Sequence, residues 1–272
     1  MPLQTTTMTG VRGGQTPVPN APSGYVPQIM QYEADLLTAL AADVDDIELW
    51  LQAGGIKSAD VAGAITEIDA AGTGTWTAGN TSLTRDVQSA VMGGRKRWKT
   101  TSNSAEGLRG SLSSNMSTWA GYTIIVPCLE PISTAANNCI FSVGTSGAGT
   151  RMTAFVVASG NLSLNNGTSG SSDSFAAGLV AGNRYSVMMT YDDSDGSTDA
   201  FLNSATSLGA GGAGAIDQSP PAETDAGILG SADDLVESEV YMDQIIVLRK
   251  AITSTSTIEA IMAACANIRT FA

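Results

Sequence analysis

Hydrophobic positions follow different periods in different stretches of the chain. Leu37, Leu40, Val44, Ile47 and Leu51 are spaced 3, 4, 3 and 4 residues apart, the a/d pattern of two heptads. Glu33, Asp35, Asp43, Asp45, Asp46 and Glu48 fill the positions between them. Pro27 suits a helix start and Gly54-Gly55 a stop, so the spacing predicts a helix over residues 28–52. Two heptads do not hold together alone, because a short helix needs packing from outside itself. Two readings follow: the stripe packs on the domain after it, or it forms the seam of a homo-oligomer, with a trimer favoured. A second short helix is expected next, capped by Ser58, with Val61, Ile65 and Ile68 on its apolar face and Gly72 at its end.

From about residue 73 the period drops to two. Short β-rich runs appear at 122–126, 139–143, 152–157, 162–164, 185–191, 200–202, 228–229 and 240–248. The separators are turn-formers: Gly144 to Gly147, Ser159-Gly160-Asn161, Asn166-Gly167 and Asp192 to Gly196. Many short strands with such turns predict an antiparallel sandwich. A closing amphipathic helix is expected over 254–268, with Ile258, Ile261, Met262 and Cys265 on one face. The first 27 residues differ from all of this. Pro17, Pro19, Pro22 and Pro27 alternate with Gly, Thr, Asn and Gln, and there is almost nothing to bury. The expected organisation is an extended anchoring arm (1–27), a helical oligomerisation or linker region (28–72) and a β-sandwich domain (73–272).

The order of elements over 108–262 resembles the concanavalin A-like, laminin-G-type jelly roll. The run Phe141-Ser-Val-Gly144 resembles that family's strand ending in Ser-x-Gly. Arg184 to Asp192 resembles its "w-x-x-v-x-x-t-y-d" strand, and Asp199 to Asn203 its "l-y-v-N-G" strand. Gly227 to Gly230 resembles the "i-G" strand, and Tyr241 to Ile252 the closing "i-D-e-v-x-i-y-x-r-a-L-s". The resemblance implies a mainly β, antiparallel jelly-roll sandwich with a short C-terminal helix. It implies little about function, since lectins, glucanases and structural modules share the fold.

Composition narrows the chemistry. The chain has 272 residues, with 13 Lys+Arg against 26 Asp+Glu and a net charge of −13. That balance repels phosphate backbones, so no nucleic-acid partner is expected. His is absent, which removes Ser-His-Asp and Cys-His catalysis and His-ligated metals. The apolar runs are too short for a membrane-spanning helix, no insertion is expected, and the start lacks the pattern of a signal peptide. An odd count of 3 Cys argues against a disulfide framework. Only 14% of residues are charged, against about 25% in ordinary globular chains, so Ser, Thr, Asn and Gly must make much of the surface.

Candidate chemistry is sparse. Glu237, Glu239 and Asp243 share strand parity but not the Glu-x-Asp-x-x-Glu spacing of the fold's glucanases, whose carboxylates must sit about 5 Å apart for retaining chemistry. No catalytic residue and no cofactor is therefore assigned. Asp192, Asp193 and Asp195 are weak candidates for a calcium site, weighed against a plain Asp-Gly turn. Arg95, Lys96, Arg97, Trp98, Lys99 and Trp119 are candidates for contact with an anion or a glycan, weighed against pairing and packing within the chain. An arm, a short helix and a terminal jelly roll without a catalytic constellation suggest a non-enzymatic structural protein of a tailed-bacteriophage virion. It would assemble in the host cytoplasm and be displayed on the virion surface as a head decoration or short fibre. Residues 1–27 would engage capsid or tail proteins. The alternative is a tail adhesin that binds host surface polysaccharide, using Trp98, Trp119 or loops 145–150 and 166–174.

Overall fold

The computed structural model describes residues 31–52, 70–72, 77–78, 84–86, 97–99, 107–135, 137–144, 151–156, 159–167, 172–209, 220–230 and 239–270. Helix α1 (Gln31–Ala39) is followed by a short 3-10 turn (Val44–Asp46) and strand β1 (Ile47–Gln52). Four short strands come next: β2 (Ala70–Gly72), β3 (Thr77–Ala78), β4 (Thr84–Asp86) and β5 (Arg97–Lys99). The larger elements are β6 (Leu108–Ser111), β7 (Gly121–Pro131), β8 (Asn138–Val143), β9 (Arg151–Val156), β10 (Leu162–Gly167) and β11 (Ser172–Phe175). They continue with β12 (Tyr185–Asp192), β13 (Thr198–Leu202), β14 (Asp225–Ile228), β15 (Val240–Met242), β16 (Gln244–Leu248) and helix α2 (Thr255–Thr270).

These strands form two antiparallel sheets, as the jelly-roll pattern requires. A nine-stranded sheet runs β2-β1-β16-β7-β15-β5-β4, with β12 on the other edge of β7 and β13 beyond it. A seven-stranded sheet runs β11-β10-β9-β8-β14-β6-β3. Their facing sides enclose the main core, where Phe141, Leu164, Ile228 and Leu108 meet Ile124, Val126, Met189 and Val247. A second apolar layer lies outside the nine-stranded sheet, where both helices cover Trp50, Ile125, Met188, Phe201 and Ile246. From β7 onward most strands and the closing helix overlap the expected runs, but β11 is not among them, Asn166-Gly167 ends β10 instead of separating strands, and the expected run 240–248 is two strands.

The single helix expected over 28–52 is corrected: α1 ends at Ala39 and residues 47–52 form a strand. Three aspartates, Asp43, Asp45 and Asp46, explain the stop. Asp is a poor helix former, and acidic groups at a helix C-terminus oppose its dipole. Beyond them the period is two. Leu49 and Leu51 enter the inter-sheet core while Trp50 points to the helices. The seam Leu37, Leu40, Val44, Ile47, Leu51 therefore does not lie along one helix face, and Leu40 and Leu51 are fully buried in the chain's own layers. Leu40 and Leu51 thus pack within the chain, as the first of the two readings expects, while Leu37, Val44 and Ile47 remain half-buried. The expected arm over 1–27 and the body of the second helix lie outside the described residues, and Gly72, expected to end that helix, closes β2.

Candidate functional site

Two regions of the sandwich concentrate polar chemistry. The first is the outer face of the seven-stranded sheet. Leu164, Ala154, Phe141, Ile228 and Leu108 point into the core, so their strand neighbours point out. The register then aligns one row across the whole sheet: Ser172, Asn165, Thr153, Ser142, Gly227, Arg109 and Thr77. Every side chain in that row is polar. Ser163 and Ser174 pair beside it and also face out. Ser142 and Thr153 in the middle are buried, Asn165 and Arg109 are half-buried, and Ser111, Ser172 and Ser174 are exposed. Thr153 Oγ1 and Asn165 Oδ1, on paired residues, have no hydrogen-bond partner.

The second region is the end of the sandwich where β7 begins and β12 ends. Tyr122 and Tyr191 stack there with ring centroids 5.2 Å apart and planes 25° from parallel. Gly121 permits the approach: its φ is +146°, and a Cβ there would sit 2.4 Å from the Tyr191 carbonyl oxygen. The Tyr122 hydroxyl donates to Asn166 Oδ1 at 2.8 Å, and the Tyr191 hydroxyl donates to Asp193 Oδ1 at 3.0 Å. The Thr198 hydroxyl donates to Asp173 Oδ2. Burial first, then the neighbouring Tyr191, pushes the Tyr122 phenol well above its ordinary range. Burial and the bond to Asp193 push Tyr191 the same way. Both phenols thus stay protonated at neutral pH and act as donors, not bases.

The aspartates singled out for a cation belong to the β12–β13 turn beside this end. Asp192 Oδ1 accepts from the Ser194 amide at 2.9 Å and the Ser194 hydroxyl at 2.6 Å. Asp195 Oδ1 accepts from the Ser197 amide at 2.9 Å, and bonds from Ser197 hold its carboxyl below the usual range. With Asp193 bound by Tyr191, each carboxylate has a turn partner, the ordinary Asx arrangement. Among the described residues, no three His, Cys, Asp or Glu side chains gather as a metal site.

Two aromatic candidates for ligand contact are corrected. Trp98 is fully buried in the inter-sheet core, and Trp119 is 5% exposed with its indole N–H donating to Ser114 Oγ at 2.9 Å. Neither presents a face to a sugar. Flat, apolar indoles suit the gap between two sheets better than a solvated rim. Arg97 and Lys99 flank Trp98 on β5, while Arg95, Lys96 and loop 145–150 lie outside the described residues. Glu237 lies outside them too; Glu239 is half-buried and Asp243 is buried. Asp243 breaks the last strand into β15 and β16 along one edge of β7. Cys128, Cys139 and Cys265 are buried thiols outside any disulfide, and burial pushes the Cys265 thiol up, away from reactivity. The outer row escaped sequence reasoning because its members come from different strands, and only the register brings them together.

No protein-family model and no curated protein matches the chain. Solved structures do match. The binding domain of botulinum neurotoxin serotype D aligns at a TM-score of 0.54 and 12% identity, over 83% of this chain and 52% of that one. A type C botulinum neurotoxin structure, described as dependent on two ganglioside molecules for cell entry, aligns at a TM-score of 0.55 and 10% identity, over 83% and 53%. The neurotoxin DC binding domain in complex with SialylT aligns at 0.56 and 9%, over 81% and 52%. The chain thus spans about half the length of these structures, and at such identities the likeness is one of β-sandwich fold.

Proposed function

We propose that this chain is a non-enzymatic binding module whose jelly roll meets carbohydrate through the outer side of its seven-stranded sheet. The observation that carries this reading is the polar row that starts at Ser172, whose accessible side chains are Ser172, Asn165 and Arg109, on the side of the sandwich opposite the helices. Hydroxyl, carboxamide and guanidinium groups in one line suit the alternating donors and acceptors of a sugar ring. The fold shared with receptor-binding domains of neurotoxins, one described with gangliosides and another with SialylT, supports the same class of ligand. The setting we propose is the surface of a tailed-bacteriophage virion, with residues 1–27 as the anchor and host polysaccharide as the ligand. A row of mostly neutral groups grips weakly, so single-subunit affinity belongs in the millimolar range, about −4 kcal/mol, and useful attachment comes from many copies.

The test is a screen of host polysaccharides against the purified full-length chain, reading both binding and release of reducing ends. Saturable binding without release supports the proposal. Release that disappears in a Glu237→Gln/Glu239→Gln variant would make the protein an enzyme. Absence of binding to every polysaccharide, also when the chain is displayed in many copies, would leave the structural role alone.

A further inference from the structure

Inside the tyrosine end of the sandwich, two polar atoms have no hydrogen-bond partner: Nδ2 of Asn166 and Oδ1 of Asp173. Asn166 is fully buried and Asp173 is 3% exposed. Each side chain is held by its other atom, Asn166 Oδ1 by Tyr122 and Asp173 Oδ2 by Thr198. Leaving such groups unpaired costs about 1–3 kcal/mol apiece, so two in one place call for an explanation.

Their placement supplies one. Asp173 pairs with Leu164 across β10 and β11, and Asn166 follows Leu164 by two residues on the same strand. Both side chains therefore point to the inner face as diagonal neighbours, which stand about 7–8 Å apart in an antiparallel pair. The two atoms are chemically opposite: Asn166 offers an N–H and Asp173 a carboxylate oxygen. A bare cation is repelled by the first and an anion by the second. A group that both donates and accepts suits both. The hydroxyls of Tyr122, Tyr191 and Thr198 belong to the same cluster, with Tyr191 in reach of Asn166 and Tyr122 feeling the Asp173 charge. They complete the set of about three partners that a buried water usually finds. A pyranose does not fit the case, because both orphaned atoms are shielded from solvent.

We propose that one ordered internal water bridges Asn166 Nδ2 to Asp173 Oδ1. Through Tyr122 and Thr198 it links β10 and β11 to β7 and β13, so that it ties together strands from both sheets at the end where β10 and β12 finish.

An atomic-resolution crystal structure of the full-length chain tests this directly. The expected result is one density peak within about 2.7–3.2 Å of both atoms, with two to four protein neighbours. A direct Asn166–Asp173 hydrogen bond, or a gap without density, would overturn it. So would a peak with six or more oxygen ligands at about 2.3–2.6 Å, the sign of a cation and of the opposite carboxamide orientation. In solution, Asn166→Ala, Asp173→Ala and the double variant form a cycle. The bridge predicts that the double variant loses roughly three- to tenfold less in folding equilibrium than the product of the single losses. Losses that simply multiply would contradict it. Should an alanine variant fail to fold, Asp173→Asn with Asn166→Ser completes the same cycle.

Discussion

The two outer faces of the sandwich have opposite chemistries. Across the nine-stranded sheet, one row reads Trp50, Ile246, Ile125, Met188 and Phe201, apolar from end to end and covered by α1 and α2. Across the seven-stranded sheet, the corresponding row reads Ser172, Asn165, Thr153, Ser142, Gly227, Arg109 and Thr77. The inner rows of both sheets supply the apolar core, so the contrast is not a matter of strand propensity. An apolar outer row needs a lid to leave water, and the helices supply it. The polar row differs: Ser142 and Thr153 at its middle are buried, Asn165 and Arg109 are half-buried, and Ser172 at its end is exposed. One face is committed to stability, and the other carries the chemistry that the proposed function uses.

Substitution should separate the two faces, and the largest effect belongs to the covered one. Trp50→Ala removes a side chain that is 3% exposed, together with its hydrogen bond to Gln244 Oε1 at 2.9 Å. Its expected cost is about 3–5 kcal/mol in chemical denaturation, typical of a buried aromatic. A loss below about 1 kcal/mol would show that the helical layer is not structural in this sense. Next comes Tyr122→Phe, which strands Asn166 Oδ1 in the interior. It should cost about 1–3 kcal/mol and leave the covered face unchanged by hydrogen exchange.

Lys250 ties the connector between α1 and β1 to the end of β16 through Asp43 and through Asp46 at 3.4 Å. The bond to Asp43 holds its amine above the ordinary lysine range. While its carboxylate partners are ionised, a raised lysine pKa stabilises the fold below the unfolded value, and that contribution is lost as pH climbs through the folded value. Lys250→Met should therefore cost about 0.2–1 kcal/mol at neutral pH, since the ammonium is partly exposed, and the difference from the parent should vanish in strong alkali. The smallest effect is expected on the polar row. Thr153→Val replaces a buried hydroxyl that has no partner by a methyl of similar size. It should be neutral or stabilising by about 1 kcal/mol, because no hydrogen bond is lost. A loss comparable to Trp50→Ala would erase the distinction between the faces.

Much of this fold is legible in the sequence. The run Tyr185 to Tyr191 is short, apolar-rich and lies between turn-formers, so it reads directly as a strand, and β12 spans Tyr185–Asp192. Helix α2 reads equally well, since Ile258, Ile261, Met262 and Cys265 share a face and all are buried. The stretch from Ile47 to Leu51 misleads because both ends of so short a run fit either period. What decides it is pairing with β16, more than 190 residues away, at Trp50↔Ile246 and Leu51↔Ile245. The polar row is the extreme case. Ser142, Thr153 and Asn165 are unremarkable in their own strands, and their alignment is a property of register. Trp98 shows the converse: beside Arg97 and Lys99 it reads as a surface aromatic, yet its pairing with Met242 carries it into the core.

The central claim, that the polar face and not the helical one meets carbohydrate, is tested most directly by amide chemical-shift mapping. Labelled full-length protein would be titrated with a binding host polysaccharide fragment. The account predicts shifts confined to the outer row of the seven-stranded sheet and its neighbours, above all Ser111, Asn165, Ser172 and Ser174, with Asn165→Ala reducing them. Shifts centred instead on the groove between α1 and α2, at Thr38, Ala260 and Asn267, would contradict it.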